Sequence, residues 1–165
     1  MFISCQSDSV NPVESNNSDL TLNKVNPIVA NVTGSGHYYF NGDENDWRTF
    51  SFTAKEYADG TVKGNYTRTH HFHGETQHAK GIITCLLVEG NEAWIAGEDT
   101  QGSSYDPALS GTVFHAVDNG EGKNNPSDQI SAQYVGITPA DAMLYCASKN
   151  TPGLNDVLAG NIQVH

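Results

Sequence analysis

Basic residues are scarce in this chain. Eight Lys plus Arg stand against nineteen Asp plus Glu in 165 residues, a formal net charge of −11. A nucleic-acid binder needs a basic face to neutralise phosphates, so that class is excluded. Long apolar runs are also lacking, and no stretch approaches the ~20 residues that a bilayer-spanning helix requires. No Gly-x-Ser-x-Gly, phosphate loop or dinucleotide fingerprint occurs, which removes the commonest sequence-readable chemistries. The length suits one domain and leaves no room for two full cores.

What the chain does have is turn and strand chemistry: sixteen Gly, six Pro, and clusters of β-branched and aromatic residues. From residue 29 apolar and polar residues alternate between regular turn signals, the pattern of an all-β domain. Val29–Phe40 reads as a first strand, and Arg48–Ala54 as a second with Phe50 and Phe52 on its core face. Asp59-Gly60 is a hairpin signal, and Val62–Phe72 runs back from it. Ala79–Val88, Ala93–Ala96, Thr112–Val117, Gln129–Val135 and Leu158–Val164 complete the set, with one helical turn near 139–145. About eight antiparallel strands in residues 29–165 predict a single closed β-barrel domain, with a two-sheet sandwich as the alternative. Ile83, Cys85 and Leu87 alternate with Ile82, Leu86 and Val88, so both faces of that strand are apolar. The segment Ala142–Cys146 is the natural cover for the outer face.

Ahead of this domain, residues 6–27 are dominated by Ser, Asn and Asp, with too little apolar area to offset chain entropy. Such a run predicts a solvated tether, with an r.m.s. span of roughly 25 Å for about twenty flexible residues. Residues 2–5, Phe-Ile-Ser-Cys, resemble the end of a bacterial lipoprotein signal. Phe2 departs from the usual aliphatic residue, and the charged and apolar parts of a signal are missing. The resemblance implies that residues 1–4 are a signal-peptide remnant and that Cys5 carries the lipid, with 5–28 as the tether. Short Ser-Asp tethers of this kind resemble those of Bacteroidetes surface lipoproteins. The implied address is extracytoplasmic: the outer membrane or the cell surface, held by a lipid anchor.

With Cys5 set aside, Cys85 and Cys146 form an even pair. They read either as one disulfide in an oxidising space or as two buried thiols. Neither has a basic neighbour in its local sequence that would mark a catalytic nucleophile.

Three constellations could carry chemistry. The first is Thr69–His78, rich in His. If residues 74–77 form a four-residue loop, His73 lies opposite His78, and His71 shares the face of His73, with Glu75 close by. His71, His73, His78 and Glu75 are therefore candidate ligands for a transition metal, weighed against an exposed hairpin tip that merely titrates near neutrality. His71-Phe72-His73 also matches part of a cupin motif, but Glu75 comes two residues too early for it. The second is the oxygen-rich loop 118–128, where Asp118, Glu121 and Asp128 are candidate calcium ligands. The alternative there is a turn held by Asp and Asn hydrogen bonds to backbone. The third is the barrel interior, where Tyr38, Phe40, Phe50, Phe52, Tyr66, Trp94 and Phe114 either line a cavity or fill a core. His37, Arg48, Arg68 and His115 are its candidate polar contacts.

The runs Arg48–Phe52, Ile83–Leu86, Gly90–Ile95 and Asp118–Gly122 resemble a group of uncharacterised secreted bacterial proteins across most of residues 33–146. That likeness implies a compartment and an all-β fold, with no catalytic residues to carry over. In outline the pattern also looks like allene oxide cyclase and dirigent-type barrels, an analogy of fold that does not set function. The leading expectation is a tethered binding or accessory lipoprotein. Its partners would be the membrane through the anchor and a small apolar ligand, a glycan or an outer-membrane protein. The rival is a small barrel enzyme, either His-metal-dependent or cyclase-like on an apolar substrate.

Overall fold

The computed structural model describes residues 26–102, 105–122, 124–150 and 153–165. Cys5 and residues 5–25 of the expected tether lie outside them. Among the described residues ten strands follow in order: β1 Ile28–Phe40, β2 Asp43–Tyr57, β3 Val62–Phe72, β4 Glu75–Glu89, β5 Glu92–Gly102, β6 Gly111–Val117, β7 Gln129–Ser131, β8 Tyr134–Ile137, β9 Leu154–Asp156 and β10 Ala159–Val164. A helix, α1, spans Pro139–Ser148 between β8 and β9, and a 3-10 turn covers Pro107–Leu109. The sheet is antiparallel, runs β10-β1-β2-β3-β4-β5-β6-β7-β9, and curls into a barrel-like shell. The all-β, barrel-like expectation holds.

The expected single strand Gln129–Val135 is two. β7 pairs with Ala116 and Val117 at one end of β6, and β8 pairs with Gly111–Val113 at the other. Between them the main chain leaves the ladder, and the Ser131 hydroxyl takes over a backbone role. It accepts the His115 N–H at 2.8 Å and donates to the Ala132 carbonyl at 3.0 Å.

The two ends of the sheet are clasped by side chains. Asp128 Oδ2 accepts the N–H of Ile162 at 2.7 Å, and Asp118 Oδ2 accepts that of Val164 at 3.0 Å. Both amides belong to β10, so two carboxylates at the end of β6 and the start of β7 supply acceptors that a neighbouring strand would otherwise provide.

The concave face holds the main core, with Tyr38, Phe52, Tyr66, Ile95, Phe114, Ile130 and Ile162 almost fully buried. Phe114 meets the Phe52 ring edge-on at 5.2 Å, and burial of each such side chain stabilises by about 1.5–3 kcal/mol. Gly34 makes this possible, because a Cβ there would lie 2.6 Å from the Phe52 ring.

The convex face carries a second cluster, in which Ala142 and Cys146 of α1 cover Trp94, Ala96 and Val113. A disulfide joins Cys85 to Cys146 and ties α1 to β4. The expected cover is therefore present, as a helix of ten residues instead of one turn. Its length follows from its ends. Thr138 Oγ1 accepts the Asp141 N–H at 3.1 Å and donates to Asp141 Oδ2 at 2.7 Å, while Pro139 presets the first turn. Lys149 stops the helix in a left-handed conformation at φ 57°.

One expectation about faces is corrected. A register shift between Ile83 and Cys85 adds a residue to β4, so Ile83 joins Leu86 on the concave side while Cys85 and Leu87 face α1.

Candidate functional site

Cross-strand register builds a graded wall on the concave face. The row Phe52–Tyr66–Gly81–Asp99 runs across β2 to β5, followed by Phe50–Arg68–Ala79–Gly102 and then Arg48–His70–Gln77. Side chains two apart on a strand share a face, so the interior passes from aromatic floor to polar mouth within three rows. The mouth opens a cup of about 510 Å³, whose far wall is Tyr105, Leu109, Gln133 and Val135. Gly81 is essential to its floor, because a Cβ there would sit 2.6 Å from the Tyr66 ring.

Two ion pairs dominate the cup. Arg68 places Nη1 and Nη2 at 2.8 and 2.5 Å from the two Asp99 oxygens, and Nη1 also reaches Thr112 Oγ1 at 3.0 Å. The Tyr66 hydroxyl donates to the same Asp99 carboxylate. Burial, followed by this bond to Asp99, pushes the Tyr66 phenol far above its ordinary value. Arg48 places Nε and Nη2 at 3.2 and 3.3 Å from Asp46 and lays its guanidinium over the Phe40 ring at 4.0 Å. His70 Nε2 lies 2.9 Å from Asp46 Oδ1, off the line of a good ring N–H hydrogen bond. Burial also raises the pKa of Tyr38, beside Arg48.

With His70 Nε2, two further buried polar atoms at this end of the core have no hydrogen-bond partner of proper geometry: Gln133 Nε2 and the Tyr38 hydroxyl. Gln133 is 8% exposed and lines the cup. Such atoms cost about 1–3 kcal/mol each unless something pairs with them.

The expected metal cluster is corrected by the turn. His73 and Gly74 both take positive φ, 47° and 86°, so the loop has two residues, not four. His71 then faces Thr76, and His78 faces Thr69. Their ring nitrogens meet threonine hydroxyls at 3.1 and 3.0 Å. His73 sits in the turn itself, and Glu75 pairs with Phe72. His71 stacks on Trp47 at 3.6 Å on the outer face. Among the described residues no three His, Cys, Asp or Glu come together to hold a metal.

The calcium expectation is corrected by the clasp. Both oxygens of Asp118 and both of Asp128 already accept backbone N–H groups, and Glu121 accepts from the Asn161 amide at 2.8 Å. These carboxylates serve as turn and seam acceptors.

Of the expected cavity lining, Tyr38, Phe50, Phe52, Tyr66 and Phe114 form packed floor, and Phe40 is partly buried against it. Trp94 is corrected to the convex side, because β5 presents Ala93 and Ile95 inward and Trp94 to α1. His115 goes with it, stacked on Trp94 at 4.5 Å, with Nε2 2.8 Å from Glu92. Burial lowers its pKa, partly offset by Glu92. Arg48 and Arg68 do serve as polar contacts of the cup, and His37 does not line it.

Sequence reasoning overlooked Asp46, His70, Asp99 and Gln133. Parity could have found two of them. Asp46 shares the face of Arg48 and Phe50, and His70 that of Tyr66 and Arg68. No protein family, curated protein or solved structure matches this chain.

Proposed function

We propose that this chain is an extracytoplasmic, lipid-anchored binding module that takes a small ligand into the mouth of its curled sheet. The observation that carries the reading is a recessed, mixed-polarity cup holding an unpaired Gln133 amide nitrogen. Ligand sites are concave, partly apolar, and furnished with a few convergent polar groups. The cup has that composition, and its volume of about 510 Å³ lies in the range of small-molecule sites. The anchor reading rests on the Phe-Ile-Ser-Cys run ahead of a polar segment.

A catalytic reading has one observation in its favour, the approach of His70 to Asp46, which resembles a base held by a carboxylate. It would make the cup a cyclase- or isomerase-like site in place of a simple receptor.

Small molecules from an extract of the source cell, enriched on the intact protein and on Gln77→Trp, separate these ideas. Gln77 is exposed at the cup wall, so the substitution fills the mouth without touching the core. A compound retained unchanged by the native protein and lost by the variant is the expected result. A compound converted during incubation favours the enzyme, and no difference between the proteins ends the cup as a site. For the anchor, mass spectrometry of native membranes should find Cys5 diacylated and N-terminal.

A further inference from the structure

Resting on the binding reading above, the geometry points to a neutral saccharide of one or two rings as the ligand. The argument begins with charge. A guanidinium that already forks onto a carboxylate has its anion, and both cup arginines are in that state. Asp106 adds a further carboxylate to the wall, and the chain as a whole carries −11. An acidic ligand would therefore meet compensated cations within a negative field.

An apolar ligand fails for the opposite reason. It would cover Gln77, Gln133, His70 and the two ion pairs without giving any of them a hydrogen bond, which leaves desolvated polar groups unpaid.

A polyol satisfies both conditions. Each hydroxyl both donates and accepts, so one can accept from Gln133 Nε2 and give to a carboxylate oxygen. The guanidinium of Arg48 has five N–H donors, of which the fork to Asp46 engages those on Nε and Nη2. A pyranose also presents patches of C–H, and the wall offers surfaces for them. Tyr105, Leu109 and Val135 line the cup and are 46%, 47% and 43% exposed, so their apolar area is available to a ring. Planar amides and guanidinium groups inside, with an aromatic and two aliphatic side chains at the lip, form a set suited to a sugar ring.

The experiment is a glycan array of neutral and uronic-acid saccharides, with decanol as the apolar probe in solution. It uses the full chain with its disulfide intact, and hits are followed by amide NMR. A neutral saccharide should bind saturably and shift the resonances of His70, Asp99, Tyr105 and Gln133. Gln133→Leu should weaken it at least tenfold, and Tyr105→Ala, at an exposed site that cannot unfold the core, should weaken it severalfold. Saturable cup binding of a uronate or of decanol in preference overturns the saccharide inference and leaves the cup a ligand site. Absence of cup shifts with every probe, together with no enrichment difference for Gln77→Trp, overturns both.

Discussion

Asp99→Ala is the sharpest perturbation of the cup. The Asp99 side chain is 13% exposed and that of Arg68 16%, so the pair is largely withdrawn from water. Removing the carboxylate leaves the guanidinium buried without an anion, which costs about 3–5 kcal/mol. It also takes the acceptor from the Tyr66 hydroxyl, for about 1 kcal/mol more. A domain of this size has about 5–15 kcal/mol in total, so the variant should lose about a quarter or more of its stability. At about 2–4 °C per kcal/mol, its Tm should fall by roughly 10 °C or more. Charge burial, more than lost contact area, is the cause, and a double variant isolates it. Arg68→Met with Asp99→Leu removes both ions and should recover most of the loss, because no unpaired charge remains. Urea unfolding of the native protein, Asp99→Leu, Arg68→Met and their double variant, with the disulfide oxidised, measures the coupling. A loss under about 1 kcal/mol for Asp99→Ala, or a double variant no better than the single, would refute the reasoning.

The disulfide spans 61 residues, so Cys85→Ser/Cys146→Ser should cost about 4 kcal/mol on the loop-entropy account, read from the urea midpoint. Asp128→Ala removes one carboxylate of the seam. Hydrogen exchange at the Ile162 and Asn119 amides should then accelerate by an order of magnitude or more, while exchange at Ile95 in β5 changes only as global stability does. Tyr38 and Tyr66 keep their protons in the fold after free phenols ionise near pH 10. The unfolded chain then binds fewer protons than the native one, so stability should fall as pH rises above about 10. Phenolate absorbance should show a late component that coincides with unfolding, and Tyr66→Phe should shrink it.

Legibility in the sequence followed the range of each interaction. β2 could be read from its alternation alone, and Phe50, Phe52 and Arg48 fell on the interior face as expected. The same period of two held His70 inward and His71 outward, yet the density of histidines in 70–78 drew the reading toward His71, His73 and His78. The error lay in the turn. A loop of two residues instead of four shifts the partner of every residue beyond it, and no ligand set survives that shift. Trp94 was misplaced because Ala93–Ala96 is apolar throughout, and a strand buried on both faces carries no parity signal. Asp99 and Gln133 were invisible for a plainer reason. Asp99 lies in a segment that read as a loop, and its partners Arg68 and Tyr66 are 31 and 33 positions away, while Gln133 lies inside what read as one continuous strand.

What the amino-acid order settled by itself was the material: antiparallel strands from a period of two, a hairpin at Asp59-Gly60, an acidic balance of charge, and a helical turn opening near Pro139. Those features depend on neighbours a few positions apart, where backbone sterics and local hydrogen bonds decide. Tertiary structure alone decided which polar residues meet, because Arg68 finds Asp99 only after three strands have paired in register. It likewise decided that Asp118 and Asp128 would seam the sheet and not gather a cation, since the amides that occupy them arrive with the last strand of the chain.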